Sequence, residues 1–292
     1  MPPFNRRAFS IRIFLPDGVP DGVRTVEKSN WIGRAIVCPR SRFKDAKSHA
    51  DFGKIGVYVL IGPSGHSDLP TVYIGEGDTA RERFEKHITE KDFWTSLVLF
   101  TSKDTNLNKA HVQYLESRLY GLAREANRCI LDNVNVPQPP SLSDPDIAEV
   151  EGFLDEMLPI YPLLGITAFE KPHPTQSAAK RYYLQSRGIE AEGYEDTTGF
   201  VVLVGSEVAK DEVASVQSYL QAQRTTLQER GVIAFEGDKL RFTQTFTFDS
   251  PSTAAGVLLG RSTNGRTAWK DAEGRTLRDN QTAVVGANGD DS

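Results

Sequence analysis

Residues 56–87, GVYVLIGPSGHSDLPTVYIGEGDTARERFEKH, decide how the rest of the chain is read. Residues 57–61, VYVLI, and 71–74, TVYI, are β-branched and aromatic runs. A stretch rich in glycine, proline and serine separates them, and together they predict a hairpin. After Gly75 the period changes: Ala80, Phe84 and His87 fall at helical spacing, so the hairpin should feed a helix. On that helix Arg83 and His87 are four apart and share a face.

Gly56-Val57-Tyr58 and Tyr73-Ile74-Gly75 resemble the two halves of the GIY-YIG signature, with valine in place of the first isoleucine. Arg83, ten residues after the second tyrosine, matches the family's catalytic arginine, and His87 matches a frequent family position. Either tripeptide alone occurs in ordinary strands; both in order, with an arginine helix behind them, are specific. The resemblance covers about residues 55–135. It implies an α/β fold: a small core with a three-stranded mixed sheet flanked by helices.

Composition fits a globular protein of one to two domains: 292 residues, 39% hydrophobic and 25% charged. No apolar run approaches the roughly 20 residues of a membrane span. The N-terminus is basic and then apolar, but Arg12 breaks its short apolar part, against a signal peptide. Cys38 and Cys129 are too few and too far apart for a zinc site or disulfide framework, and a reducing, cytoplasmic setting is expected. The formal net charge of −5 is uneven. Residues 1–50 carry 10 Lys/Arg against 4 Asp/Glu, whereas residues 129–175 carry 1 against 8. The basic first segment could meet phosphates or could be a solvated face.

Before the signature, Phe9, Ile11 and Ile13 alternate with polar residues as in a half-buried strand. Residues 31–37 read as a second strand, and Arg40, Arg42, Lys44 and Lys47 cluster in a polar loop. Residues 1–50 are thus expected to be a basic β element beside the core at residues 51–170, with Arg40, Arg42 and Lys44 as substrate contacts. After the arginine helix, residues 93–100 form a buried-type strand, and residues 108–127 a long helix with Leu115 and Leu119 on its apolar stripe. Glu116 falls inside that stripe. A carboxylate there needs a partner, because burying a bare charge is costly; an ion pair at the stripe's edge or a metal ion would serve. The family carries a metal-binding glutamate on this helix, and Glu116 takes that place by resemblance. Asn133 or Asn135 resembles the asparagine that closes the family core, and Asn133 is a further candidate substrate contact. Ser143 and Asp146 form a capping pattern for the next helix, which Pro159 and Pro162 end.

Residues 171–177, with Pro172 and Pro174, read as a linker to a smaller α+β domain at 178–279. Within it, residues 199–205 read as a strand, 211–230 as an amphipathic helix capped by Gly231, and 232–242 as a hairpin. A short helix follows at 253–259. Asn264-Gly265 signals a type I′ hairpin leading to Trp269. The tail from about Phe242 to Leu277 resembles a small uncharacterised domain appended to bacterial GIY-YIG proteins. Residues 280–292 are polar and expected to be disordered.

The resemblance implies a magnesium-dependent (or manganese-dependent) endonuclease acting on DNA, in restriction, phage defence or mobile-element biology. Tyr58 would orient or deprotonate water, with Tyr73, Arg83 and His87 around it. Arg83 would hold the scissile phosphate in its fork, and Glu116 would hold the metal. DNA repair is the alternative within the enzyme class; a non-catalytic nucleic-acid-binding or regulatory protein is the alternative outside it, and a partner-binding module in the tail is a third. A homodimer would suit paired cuts on two strands; no membrane partner is expected.

Overall fold

The structure is a computed structural model describing residues 8–46, 48–64, 69–77, 86–87, 90–170, 180–197, 199–213 and 216–287, the last four of these without their side chains. The chain is mixed α/β and divides into two compact units, the sequence boundary falling between Glu170 and Lys171.

The first unit is built on a seven-stranded sheet in the order β1-β2-β3-β6-β4-β5-β7. The signature hairpin is β4 (Gly56–Gly62) against β5 (Thr71–Gly77), with Tyr58 opposite Gly75. β6 (Ser96–Ser102) pairs with the other side of β4. β4 is antiparallel to both of these neighbours; only the two-residue β7 (Ile130–Leu131), parallel to β5, makes the sheet mixed. The three-stranded expectation is therefore too small. The basic N-terminal segment supplies β1 (Ile11–Phe14), β2 (Arg24–Lys28) and β3 (Gly33–Pro39), and β3 pairs along its length with β6. β2 escaped the sequence reading because RTVEK is mostly polar, although Thr25 and Val26 are buried.

Strand alternation sends successive residues to opposite faces. Val57, Val59, Ile74 and Phe100 face a core shared with the helices Lys109–Ala126 and Asp144–Met157. Tyr58, Leu60 and Leu99 face the other way, against Phe43, Phe52 and Trp94. The long helix begins at its Asn108 cap, whose Oδ1 accepts from His111 N–H at 3.0 Å, and stops at left-handed Asn127. Ser143 caps the next helix, accepting from the Asp146 N–H. Pro159 and Pro162 do not simply end it: Pro162 sits inside a short helix, Ile160–Leu163. The expected polar loop around Arg40 is a helical turn, Arg40–Arg42, running into the helix Phe43–Ala46. Phe43 and Ala46 anchor that turn on the Tyr58 face.

The second unit carries a four-stranded sheet, β14-β10-β9-β8, with β10 at Gly199–Val202 and β14 at Phe246–Phe248, and a three-stranded one, β11-β13-β12, with β11 at Glu207–Val208, β12 at Ile233–Glu236 and β13 at Lys239–Phe242. β8 (Arg181–Ser186) and β9 (Ile189–Asp196) turn through Arg187 and Gly188, both at positive φ as a type I′ turn requires. Asn264-Gly265 makes no such turn. Asn264 caps the helix Gly265–Ala268, accepting from Arg266 N–H at 3.1 Å. Glycine is needed there for close approach: a Cβ would lie 2.1 Å from the Pro251 carbonyl. Trp269 is fully buried, donates Nε1–H to Pro251 O at 3.1 Å, and stacks 4.5 Å from Phe200. It is core, not an exposed docking residue. The amphipathic helix is shorter than expected, Ser218–Glu229. The expected disorder from 280 also fails within the described residues, because a helix spans Leu277–Ala287. Thr276 and Asp279 cap each other there: the Asp279 N–H donates to Thr276 Oγ1 at 3.2 Å, and the Thr276 N–H to Asp279 Oδ2 at 3.0 Å. The proline-rich linker at 171–177 lies outside the described residues.

Candidate active site

The Tyr58 side chain leaves central strand β4 on the face away from the long helix and is fully buried. Tyr73, one strand over, projects from the same face and is half-buried. Their ring centroids are 6.2 Å apart. His87 is buried against both: its ring lies 5.8 Å from Tyr58 and 4.9 Å from Tyr73. The Tyr58 hydroxyl and His87 Nε2 share a hydrogen bond of 2.7 Å. The second signature half explains itself physically. Gly75 faces Tyr58 across the hairpin, and a Cβ at Gly75 would lie 2.5 Å from both Cζ and the hydroxyl oxygen of Tyr58. Glycine is thus the residue that lets the phenol reach His87.

Arg83 lies outside the described residues, as do Ala80, Arg81, Phe84 and His66. Of the segment behind the signature, Lys86, His87 and Glu90 are described and helical.

Glu116 is half-buried on Lys109–Ala126, the helix covering the opposite sheet face. That helix runs antiparallel to β5. Near its start Lys109 Nζ meets Glu76 Oε2, at the end of β5, at 2.6 Å. Beyond its end Ile130 pairs with Thr71, at the start of β5. Seven helical residues from Lys109 to Glu116 rise about 10.5 Å, and three strand residues from Glu76 to Tyr73 span about 10 Å. Glu116 thus lies two turns beyond Lys109 on the same side of the helix, in the direction in which β5 runs back toward Tyr73. β7 pairs only with Thr71 and Val72, so beyond Val72 that edge carries no strand among the described residues. There the Asn133 side chain substitutes for one: its amide donates to Ile74 O at 2.7 Å, and its oxygen accepts from Ile74 N–H at 3.0 Å. Of the two asparagines considered, Asn133 closes the edge; Asn135 is exposed.

The basic candidates separate. Arg40 is half-buried and spent on structure: its Nη1–H donates to Lys91 O at 2.6 Å, and its guanidinium lies 4.9 Å from the Trp94 ring centroid. Arg42 and Lys44 are exposed on the turn and helix that cover the Tyr58 face. His111 belongs to the long helix's N-terminus, beside Asn108 and 3.8 Å from Asp146, and joins no cluster with the tyrosines.

Three features were missed in the sequence. Lys91, four residues after His87, places its Nζ 4.3 Å from the Tyr73 ring centroid and pairs with Asp132. Its i+4 spacing from His87 was the available signal. Glu76 is a buried carboxylate directly behind the signature. Asp51 is the third: Lys54 Nζ at 3.0 Å and Arg34 Nη1 at 3.1 Å contact its buried carboxylate. Burial alone would raise the Asp51 pKa; hydrogen bonds from Lys54 and Arg34 outweigh it and hold the group below the usual carboxylate range. In the Tyr58-face core Cys38 is fully buried, which pushes its thiol up to about 12, and Cys38 and Cys129 form no disulfide.

Residues 182–281 match the family model described as a domain of unknown function, DUF4357. The match takes in nearly all of the second unit, a longer stretch than the Phe242–Leu277 tail noted in the sequence. Comparison with the curated proteins and with the solved structures gives no match. Among the described residues no helix is long and apolar enough to cross a membrane.

Proposed function

We propose that the first unit is a GIY-YIG-type nuclease core and that the protein is a metal-dependent endonuclease hydrolysing phosphodiester bonds in DNA. The observation that carries the reading is the Tyr58–His87 hydrogen bond of 2.7 Å with the half-buried Tyr73 ring beside it. Hydrolysis of a phosphodiester needs a proton acceptor for the attacking water and cationic support for the phosphate. The Tyr58 hydroxyl orients the water, and His87 Nε2 accepts the proton that passes through the phenol. Tyr73, open to solvent on one side, aligns the phosphate. Arg83 holds two phosphate oxygens in its guanidinium fork.

The chain's donor set suits a magnesium or manganese ion. Among the described residues no three His, Cys, Asp or Glu side chains gather as a metal cage. Magnesium commonly binds through one or two carboxylates and keeps its remaining shell for water and phosphate oxygens. Glu116, half-buried on the long helix, would hold it. When bound, the ion supplies neutralisation of charge at the leaving oxygen. Exposed Arg42 and Lys44 extend the same face toward the flanking backbone, where each phosphate contact adds salt-dependent affinity.

The test is nicking of supercoiled plasmid with magnesium by wild type, Glu116→Ala and Arg83→Ala. The reading expects metal-dependent cleavage lost in both variants with folding intact. Cleavage equal in all three contradicts the site. DNA binding without cleavage by the wild type favours the non-catalytic binding protein.

A further inference from the structure

We propose that Lys91, braced by Asp132, is a positioning residue that fixes the Tyr73 ring against His87; its catalytic consequence rests on the nuclease reading above. Tyr73 is only half-buried, so core packing does not by itself determine its ring orientation. The His87 ring lies 4.9 Å from it, and the Lys91 ammonium 4.3 Å from its centroid. An ammonium at that distance is attracted to the ring's electron-rich face.

Lys91 is itself held at both ends. Its ammonium forms an ion pair with Asp132, and its side chain is 18% exposed, so the charge is largely withdrawn from water while still paired. Its N–H donates to His87 O at 2.9 Å, and its carbonyl accepts from Arg40 Nη1–H at 2.6 Å. Asp132 is held in turn. Its N–H donates to Val72 O at 2.8 Å, and the adjacent Asn133 pairs with the backbone of Ile74 in both directions. One two-residue segment therefore grips the backbone on both sides of Tyr73 and also supplies the carboxylate that aims the cation at its ring. The same lysine continues the turn that carries His87. The orientations of Tyr73 and His87 are thereby set together, and Arg40 acts on them through the Lys91 carbonyl.

The experiment uses the full chain with 13C-labelled tyrosine rings, the Tyr73 signals being assigned with Tyr73→Phe. In the wild type the Lys91 methylene protons should show an upfield ring-current shift. Lys91→Met and Asp132→Asn should each move the Tyr73 ring signals; Lys91→Arg, which keeps a cation, should largely preserve them. In nicking assays Lys91→Met should lower kcat on the order of ten- to a hundredfold with KM little changed, the loss expected of a slightly misplaced reacting group, and Lys91→Arg should recover most of it. Tyr73 signals unmoved in both Lys91→Met and Asp132→Asn overturn the clamp whatever the activity. Moved signals with an unchanged kcat in an active enzyme overturn the positioning role. A wild type that does not nick refutes the nuclease reading, and the ring signals then decide the clamp alone.

Discussion

The two units bury polar groups in different ways. In the second, buried charges are held by opposite charges and backbone together; Glu207, for one, meets Lys239 and Arg241. Arg224 is 3% exposed; it donates to the carbonyls of Val257 and Ala209 and lies 2.8 Å from Glu212. Asp271 accepts from the Arg275 N–H at 2.8 Å and the Glu273 N–H at 3.1 Å, with Lys180, Asn280 and the Arg275 Nε–H completing its shell. Burial works against its charge, but these bonds hold its carboxyl well below the usual range. In the first unit, Tyr58, Tyr73, His87 and Lys91 meet side chain to side chain: phenol to imidazole, ammonium to ring. A charge held by backbone and by opposite charge together fixes the segments around it. A side-chain cluster bordered by a half-open tyrosine can exchange partners, which is what a reacting site requires.

That contrast can be broken or sharpened by measurement. The largest stability loss should come from Trp269→Ala, which empties a fully buried aromatic site in the second unit and should cost about 4 kcal/mol in urea unfolding; a loss below about 1 kcal/mol would contradict its place in the core. Gly75→Ala should cost less, about 2 kcal/mol, by overpacking. It should act on function beyond stability, because its methyl must displace the Tyr58 hydroxyl from His87. An imidazole signal of His87 unchanged in that variant would show that the phenol does not depend on the glycine. The smallest effect concerns acid. Asp51 is held below its ordinary value of 3.8, so it contributes stability that is present above that pH and is lost as pH falls through its folded value. Asp51→Asn should lower stability near neutral pH and flatten its decline below about pH 4; an unchanged acid limb would mean that Lys54 and Arg34 do not hold the Asp51 carboxyl below its ordinary value.

The part of this design legible in the sequence was the part with local signals. The hairpin, the capped helix from Asn108 to Asn127 and the Ser143 cap show in residue type and period, because caps and periodicity act over one to four residues. Tyr58 and Tyr73 were paired from their motif, and strand alternation places them on one face. Long-range pairing carries no such mark. β2, with one strongly apolar residue, is a strand because β1 and β3 flank it, and β3 adds the N-terminal segment to the sheet by pairing with β6. Asn264-Gly265 misled because the same dipeptide serves a hairpin turn through positive φ or a helix cap through close approach, and only Pro251, distant in sequence, decides. Arg40 reads in the sequence as a substrate contact because its acceptor, the Lys91 carbonyl, is 51 residues away.

The measurement closest to the central claim is single-turnover nicking of supercoiled DNA with magnesium by wild type and Tyr58→Phe, a change that removes one oxygen from the buried ring and leaves its packing. Proton transfer by a positioned side chain contributes about 100-fold or more, so the variant should be slower by at least about that factor while binding DNA as the wild type does. Equal rates in the two proteins would contradict the assignment of Tyr58 and His87 as the reacting pair.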